Sequence, residues 1–482
     1  MPNADHRVTE KRGNTNVLQT ASPLAAWALA LGCTVGWGAF VMPGTTFLPA
    51  AGPLGTAIAF VIGSIAMLVI VLNYGYMARR CPGEGGVYSY ARVTFGPNHA
   101  FICSWCLVLA YCAAMVSNAT ALALVLRSVV GPALQVGFHY VFAGYDVYLG
   151  EVVSGVLIIC IAAWICIRGA RLTECVEVAL ATGLTLGIVV IIVLMVLDPR
   201  VSVRALEPLY SPHNTPLAGI LTVLASVPWA FIGFESVSQI SAECDFPSER
   251  LTRIMVIAVL CSGVMYVTLS TIASSLIPSG YANWFEYIED LPNLGGLNAL
   301  PTFHAGSELA GTAGLMLFGA TALCAVFSGV VGFYVAATRL IHAMALDRAL
   351  PHRYAVLHPS YNTPARATMV IMAVTVFVPL FGRNFLAWVI DLMSLGALIA
   401  YAYTSLAVFV DARREEKTLM MAVAVLGLVL SCACIFLLIV PLPGLNTSLS
   451  KESYVILVAW VALGINFYTP SYVRMGLNIH GK

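Results

Sequence analysis

The sequence predicts an all-α, polytopic membrane protein, on three observations. Of its 482 residues, 60% are hydrophobic and only 10% are charged, against ~25% charged in soluble domains. Apolar windows of about 20 residues, enough to cross a bilayer as a helix, recur twelve times: roughly 24–50, 54–78, 100–127, 147–167, 172–198, 216–242, 252–278, 309–342, 365–381, 384–410, 418–440 and 453–472. The basic residues then alternate between the two sides, as they do when cytoplasmic loops collect Lys and Arg. With the N-terminus inside, only Arg127, Arg200, Arg204, Arg383 and Lys451 fall outside, which leaves 19 of the 24 basic residues on the cytoplasmic side. The pattern predicts a multi-pass protein of the inner (cytoplasmic) membrane with both termini in the cytoplasm.

Residues 1–20 are polar and lack the short apolar core and small-residue cleavage site of a signal peptide, so they read as a cytoplasmic tail. The other long polar stretches are the outer loop 279–308, which has acids but no Lys or Arg, and the inner loop 346–364. No soluble domain is evident, and function is expected among the helices. All thirteen cysteines fall in predicted spans or near the cytoplasmic face, where they serve as small apolar residues rather than a disulfide framework. The net charge of +1 says nothing of a partner. No metal or cofactor is expected, and no nucleic-acid motif occurs.

The first span is interrupted. "TVGWGAFVMPG", Thr34–Gly44, places Gly36 and Gly38 around Trp37 and ends on Pro43 and Gly44. Glycine tolerates non-helical dihedrals, and proline removes a donor and clashes with the preceding turn. Five spans later "PWAFIGFES", Pro228–Ser236, repeats the device, with Gly233 mid-span and Glu235 at membrane depth. An offset of five inverts the second half relative to the first, as in transporters built from inverted repeats. Unpaired backbone groups are tolerated at that depth only where they face a cavity or ligand. Half-helix N-termini suit a carboxylate and exposed carbonyls suit an ammonium group, and an α-amino acid carries both. The competing explanation is that the glycines only permit close helix packing.

Five motifs in order resemble the amino acid, polyamine and organocation transporter superfamily, including bacterial amino acid permeases and exchangers such as the arginine/agmatine antiporters. They are the first-span glycine motif, "CPGEGGVYSYARVTFGP" from Cys81, "PWAFIGFES", "SAECDFPSER" from Ser241 and "ALDRALPHRYAVLHPSYNTPARA" from Ala345. The resemblance implies a leucine-transporter-like fold: a first five-helix repeat over 21–200, a second over 201–414 with broken helices 1 and 6, and accessory helices 11 and 12 over 415–482. It implies that Gly36, Trp37 and Gly38 offer amides to a substrate carboxylate. Trp229, Phe231, Ile232 and Gly233 would line the pocket from the second break, Trp229 would gate it, and Phe333 would add an aromatic wall. Cys112 aligns with a substrate-binding asparagine of the exchangers. Two departures stand out. Relatives usually carry a small residue where this chain has Trp37, so the indole either lines the pocket or packs outside it. Some proton-driven relatives have a lysine in span 5, whereas residues 175–197 contain no Lys or Arg.

A mid-membrane acid costs ~2.5 kcal/mol or more unless paired, protonated or solvated. Glu235 is therefore expected either to couple proton movement to transport or to cap the half-helix after Gly233. Asp391 is the other expected intramembrane acid and reads as a helix cap. With no Lys or Arg beside the breaks, neutral or cationic amino acids and related amines fit better than acidic ones. The expected partners are thus a small-molecule substrate, protons where transport is coupled, and lipid. A nutrient sensor on a transporter fold is the alternative. No H-E-x-x-H, G-x-S-x-G or phosphate-loop pattern suggests an enzyme.

Overall fold

The computed structural model describes residues 21–382, 385–441 and 448–479. The expected tail 1–20, with Arg7, Lys11 and Arg12, lies outside them, as do Arg383 and Lys482. The helices are α1 (Pro23–Thr34), α2 (Gly38–Met42), α3 (Leu48–Arg80), α4 (Val87–Phe95), α5 (Pro97–Val130), α6 (Leu149–Ile167), α7 (Ala170–Leu197), α8 (Pro216–Phe231), α9 (Ser236–Gln239), α10 (Ser248–Ser275), α11 (Trp284–Asp290), α12 (Pro301–Leu346), α13 (Ala365–Thr375), α14 (Phe385–Arg414), α15 (Thr418–Ile439) and α16 (Lys451–Ile479).

Among the described residues, nine helical segments are long and apolar enough to cross a membrane. The first, Pro23–Arg80, is 58 residues long and contains both of the first two predicted windows. They are separated where Gly52 adopts φ 72° inside α3. A side chain there would also strike the backbone of Tyr210, its Cβ lying 2.7 Å from the carbonyl carbon. The window 365–381 coincides with a shorter apolar helical stretch, Ala365–Phe381, and 453–472 falls within α16.

Burial sorts the helices into centre and periphery. In α5 83% of the most apolar stretch is buried, against 28% in α7 and 22% in α15. α5 and α12 approach closely where Gly329 of α12 faces Asn118 of α5, a Cβ there lying 2.9 Å from the Asn118 side chain. Leu186, Val189 and Val193 of α7 remain exposed, as lipid-facing side chains do. α1 is held among α7, α10 and α12, and α3 packs against α8 and α10, so both interrupted helices are packed among long ones.

Two sequence expectations need correction, and the outer loop carries structure that the sequence reading did not specify. The chain is not wholly helical: β1 (His139–Phe142) and β2 (Tyr145–Tyr148) form an antiparallel hairpin, with His139 opposite Tyr148 and Phe142 opposite Tyr145. Aromatic and β-branched residues flanking Ala143–Gly144, both at positive φ, suit a two-residue turn. The loop 279–308 contains α11, capped by Asn283, and the start of α12, which kinks at Ala310 and Gly311. Asp391 does not cap α14. It lies within that helix and accepts hydrogen bonds from the Ser450 amide at 3.0 Å and the Ser453 hydroxyl at 2.7 Å, tying down the start of α16.

Candidate functional site

The two breaks meet. α1 ends at Thr34, Val35 turns to extended angles (φ −102°, ψ 100°), and the chain re-enters a helix at Gly38. In the second break Ile232 is extended (φ −55°, ψ 138°) and Gly233 takes φ 117°. A Cβ on Gly233 would sit 2.5 Å from the Cys33 carbonyl carbon. This glycine is needed both for its dihedral and for the close approach of one broken helix to the other. Gly38 allows a close approach of another kind. It is helical, and a Cβ there would lie 2.1 Å from the Trp229 ring, so its bareness makes room for an indole.

Around this junction is a small cavity of about 20 Å³, room for about one water. Six predicted residues line it: Gly36, Trp37, Gly38, Trp229, Ile232 and Phe333. Two do not. Phe231 turns away to pack near Phe60 and Tyr266, with centroids 6.2 Å from each, because consecutive helical residues point in different directions. Gly233 lies against Cys33 instead. Trp37 settles between its two predicted positions: it is 5% exposed, faces the cavity, and meets Trp229 edge-to-face at 6.0 Å and 69°. The Trp229 indole N–H is buried without a hydrogen-bond partner among the described residues, although buried tryptophans usually find one.

The polar group supplied by α5 is Asn118, which sequence comparison missed. Its side-chain oxygen accepts the Trp37 amide at 3.2 Å, and its own amide donates to the Ala114 carbonyl at 2.9 Å. Asn118 therefore binds one of the backbone donors freed by the break. Cys112 does not line the cavity, so its alignment with a substrate-binding asparagine is not reproduced. The pair Ser117–Asn118, polar in the middle of an apolar window, was the available signal.

Glu235 is fully buried but stands behind the cavity. One carboxylate oxygen accepts the Gly233 amide at 2.9 Å and the Tyr401 hydroxyl at 3.2 Å. It precedes α9 without capping that helix through its side chain; it staples the break itself. Tyr111 accepts from the Gln239 side-chain amide at 3.3 Å and packs on Phe333 at 5.7 Å, so the polar layer around Glu235 adjoins the cavity's aromatic wall. Asp391 is not the only other acid within a helix of the bundle. Glu177 of α7 and Glu151 of α6 are also buried, Glu151 in an ion pair with Arg127.

A larger cavity, about 390 Å³, lies at the end of the bundle where α1 begins. Glu84, Arg168, Glu243, Arg339 and His342 line it, and Arg339 pairs with Glu243 at 3.0 Å. It is a charged vestibule, and its size does not make it the site, because residues of both breaks line the smaller cavity.

A family profile described as "Amino acid permease" matches residues 22–463. Over 465 residues the chain is 26% identical to a methylthioribose transporter of Bacillus subtilis (strain 168), covering 94% of this chain and 93% of the relative. It is 25% identical over 407 residues to the branched-chain amino acid permease BcaP of Lactococcus lactis subsp. cremoris (strain MG1363), covering 81% and 82%. It is 26% identical over 403 residues to cationic amino acid transporter 4, vacuolar, of Arabidopsis thaliana, covering 80% and 61%. With its interrupted helices meeting inside a bundle of apolar ones and a family match across nearly its whole length, the chain belongs to the amino acid permease family of multi-pass membrane transport proteins.

Proposed function

We propose that this permease is a secondary active transporter that moves a neutral or cationic amino acid, or a closely related amine, by alternating access around the two breaks. The carrying observation is the meeting of Cys33 and Gly233 beside a cavity lined by both breaks and by Trp229, whose indole N–H is unpartnered among the described residues. That cavity has no Lys or Arg in its lining, which supports neutral or cationic substrates. The names of the relatives, covering branched-chain and cationic amino acid transport, support the same range.

In this reading the fold comprises twelve spans, with inverted five-helix repeats over 21–200 and 201–414 and accessory helices over 415–482. Both termini lie in the cytoplasm, and the protein sits in the cytoplasmic membrane. Gly36, Trp37, Gly38, Ile232 and Phe333 contact substrate, and Phe231 and Gly233 shape the second break from behind. Trp229 is the gate. Binding displaces the Asn118 oxygen from the Trp37 amide and moves the two indoles apart, since room for about one water must become room for a substrate. Glu235 couples proton movement to this change by releasing the Gly233 amide when neutralised; without such coupling the protein exchanges one substrate for another.

Counterflow of labelled substrate into proteoliposomes preloaded with a panel of amino acids and amines tests the proposal. Accumulation against unlabelled substrate is expected for at least one neutral or cationic member. Binding without counterflow for every member would favour a sensor built on the same fold.

A further inference from the structure

A second carboxyl group lies beside the breaks and takes no part in the substrate cavity. Glu177 of α7 is 2% exposed and sits where α1, α7 and α12 meet. One of its oxygens is 2.5 Å from the Ser328 hydroxyl of α12; the other is buried with no hydrogen-bond partner among the described residues.

Two glycines make room for it. A Cβ on Gly32 of α1 would lie 3.2 Å from Glu177 Oε2 and 1.8 Å from Ser328 Oγ. A Cβ on Gly332 of α12 would lie 3.4 Å from Glu177 Oε1 and 2.4 Å from Cys33 Sγ. Gly32 is two residues before the end of α1, and Gly332 adjoins Phe333 of the cavity. The Glu177 carboxyl thus wedges between the two helical elements whose separation opens the site.

A narrow cavity reaches it from the end of the bundle where α1 begins. Ala21, Ala25 and Leu29 of the α1 edge, Thr173 of α7 and Arg339 of α12 line the passage, with Glu177 along its wall. It therefore starts at the same end of the bundle as the charged vestibule. The titratable and charged groups that face Glu177 are Cys33 from α1, Cys166 from α6, Glu174 from its own helix, Arg339 from α12 and Glu243 from the turn after α9, with Glu235 beyond Cys33. Arg339 is committed to Glu243, and among the described residues no cation pairs with Glu177. A carboxylate charge held there by a single hydroxyl donor is costly, and gaining or losing a proton must alter the packing of α1 on α12.

We propose that Glu177 is a second proton-binding site, separate from Glu235, that exchanges its proton with the compartment at the α1-start end and controls when α1 separates from α12. The proton leaves the carboxyl for water in the passage and returns by the same route, with no other group altered. The inference rests on the transport reading above.

The test is counterflow in vesicles of one orientation, with the pH of each compartment varied independently. In the wild type, the rate is expected to change about tenfold across about two pH units on the α1-start side, as the occupancy of a single titrating group does. Glu177→Gln is expected to remove that dependence while leaving the dependence on the opposite compartment's pH intact. Ser328→Ala, which keeps the carboxyl but removes its donor, is expected to shift the midpoint and carries the test if Glu177→Gln does not fold. A wild type indifferent to pH on that side, or a Glu177→Gln or Ser328→Ala protein with the wild-type profile, overturns the inference while counterflow itself upholds transport. Counterflow driven by a sodium gradient and insensitive to pH overturns it too. Absence of counterflow for every substrate removes the transport reading, and this inference with it.

Discussion

Two residues decide the size of the cavity. Trp37 and Trp229 meet edge-to-face, and aromatic pairs of this kind contribute ~0.5–1.5 kcal/mol beyond area burial. Trp37→Ser removes one wall and enlarges the site, so uptake across an amino acid panel should shift in favour of larger side chains. An unchanged ranking would assign the indole to packing alone. Trp229→Ala should reduce transport far more than it reduces folded, membrane-inserted protein, as compared by uptake and by the yield of monodisperse protein in detergent. Asn118 was partly legible in the sequence as a polar residue inside an apolar span. Its partnership with the Trp37 amide was not, because 81 residues separate the two and only the packing of α5 against the break brings them together.

At the scale of the element, two glycines next to the same cavity should respond oppositely to the same change. Gly233 combines φ 117° with a Cβ position 2.5 Å from backbone of the other break, and neither conflict can relax without moving a helix. Gly233→Ala should therefore cost ~3 kcal/mol or more, read as a large fall in thermal stability. Gly38 is already helical, and the nearest atoms to an added methyl belong to the far end of the Trp229 ring. Gly38→Ala should fold, with the indole displaced and transport impaired. Equal stability losses would show that Gly38 is a packing glycine like the other. The sequence made both breaks visible through Gly, Pro and a membrane-depth acid, because such residues are conspicuous in an apolar helix. It did not show which glycine bends the chain and which admits a neighbour, since that depends on the facing element. Glu177 was equally invisible: it lies near the start of a predicted span, and only the fold shows that α1 and α12 bury it.

Across the whole molecule, charged contacts at the α1-start face tie together segments that follow the breaks. Arg339, near the end of α12, holds Glu243 in the turn after α9 at 3.0 Å, and His342 one turn on approaches Glu84 at 3.4 Å. These contacts join α12 to both the segment following the second break and the loop following α3. The Arg339–Glu243 side chains are only 12% and 18% exposed, so their attraction is less screened than that of a surface pair. Alternating access requires this link to part whenever the face opens. Glu243→Gln keeps the shape but removes the charge, and weakening closure by ~1.4 kcal/mol would raise the open population about tenfold. The measurement is the labelling of a reporter cysteine, Leu29→Cys, by a membrane-impermeant maleimide, in a protein whose native cysteines have been replaced. Leu29 lines the passage beside α1, so labelling from the α1-start side should accelerate in Glu243→Gln while labelling from the other side does not. Saturating substrate should change the rate in both proteins, since a ligand shifts the balance only by binding the two states unequally. A labelling rate unmoved by Glu243→Gln would mean that the ion pair rides with one rigid body, and that closure depends on the packing of α1 against α12 alone.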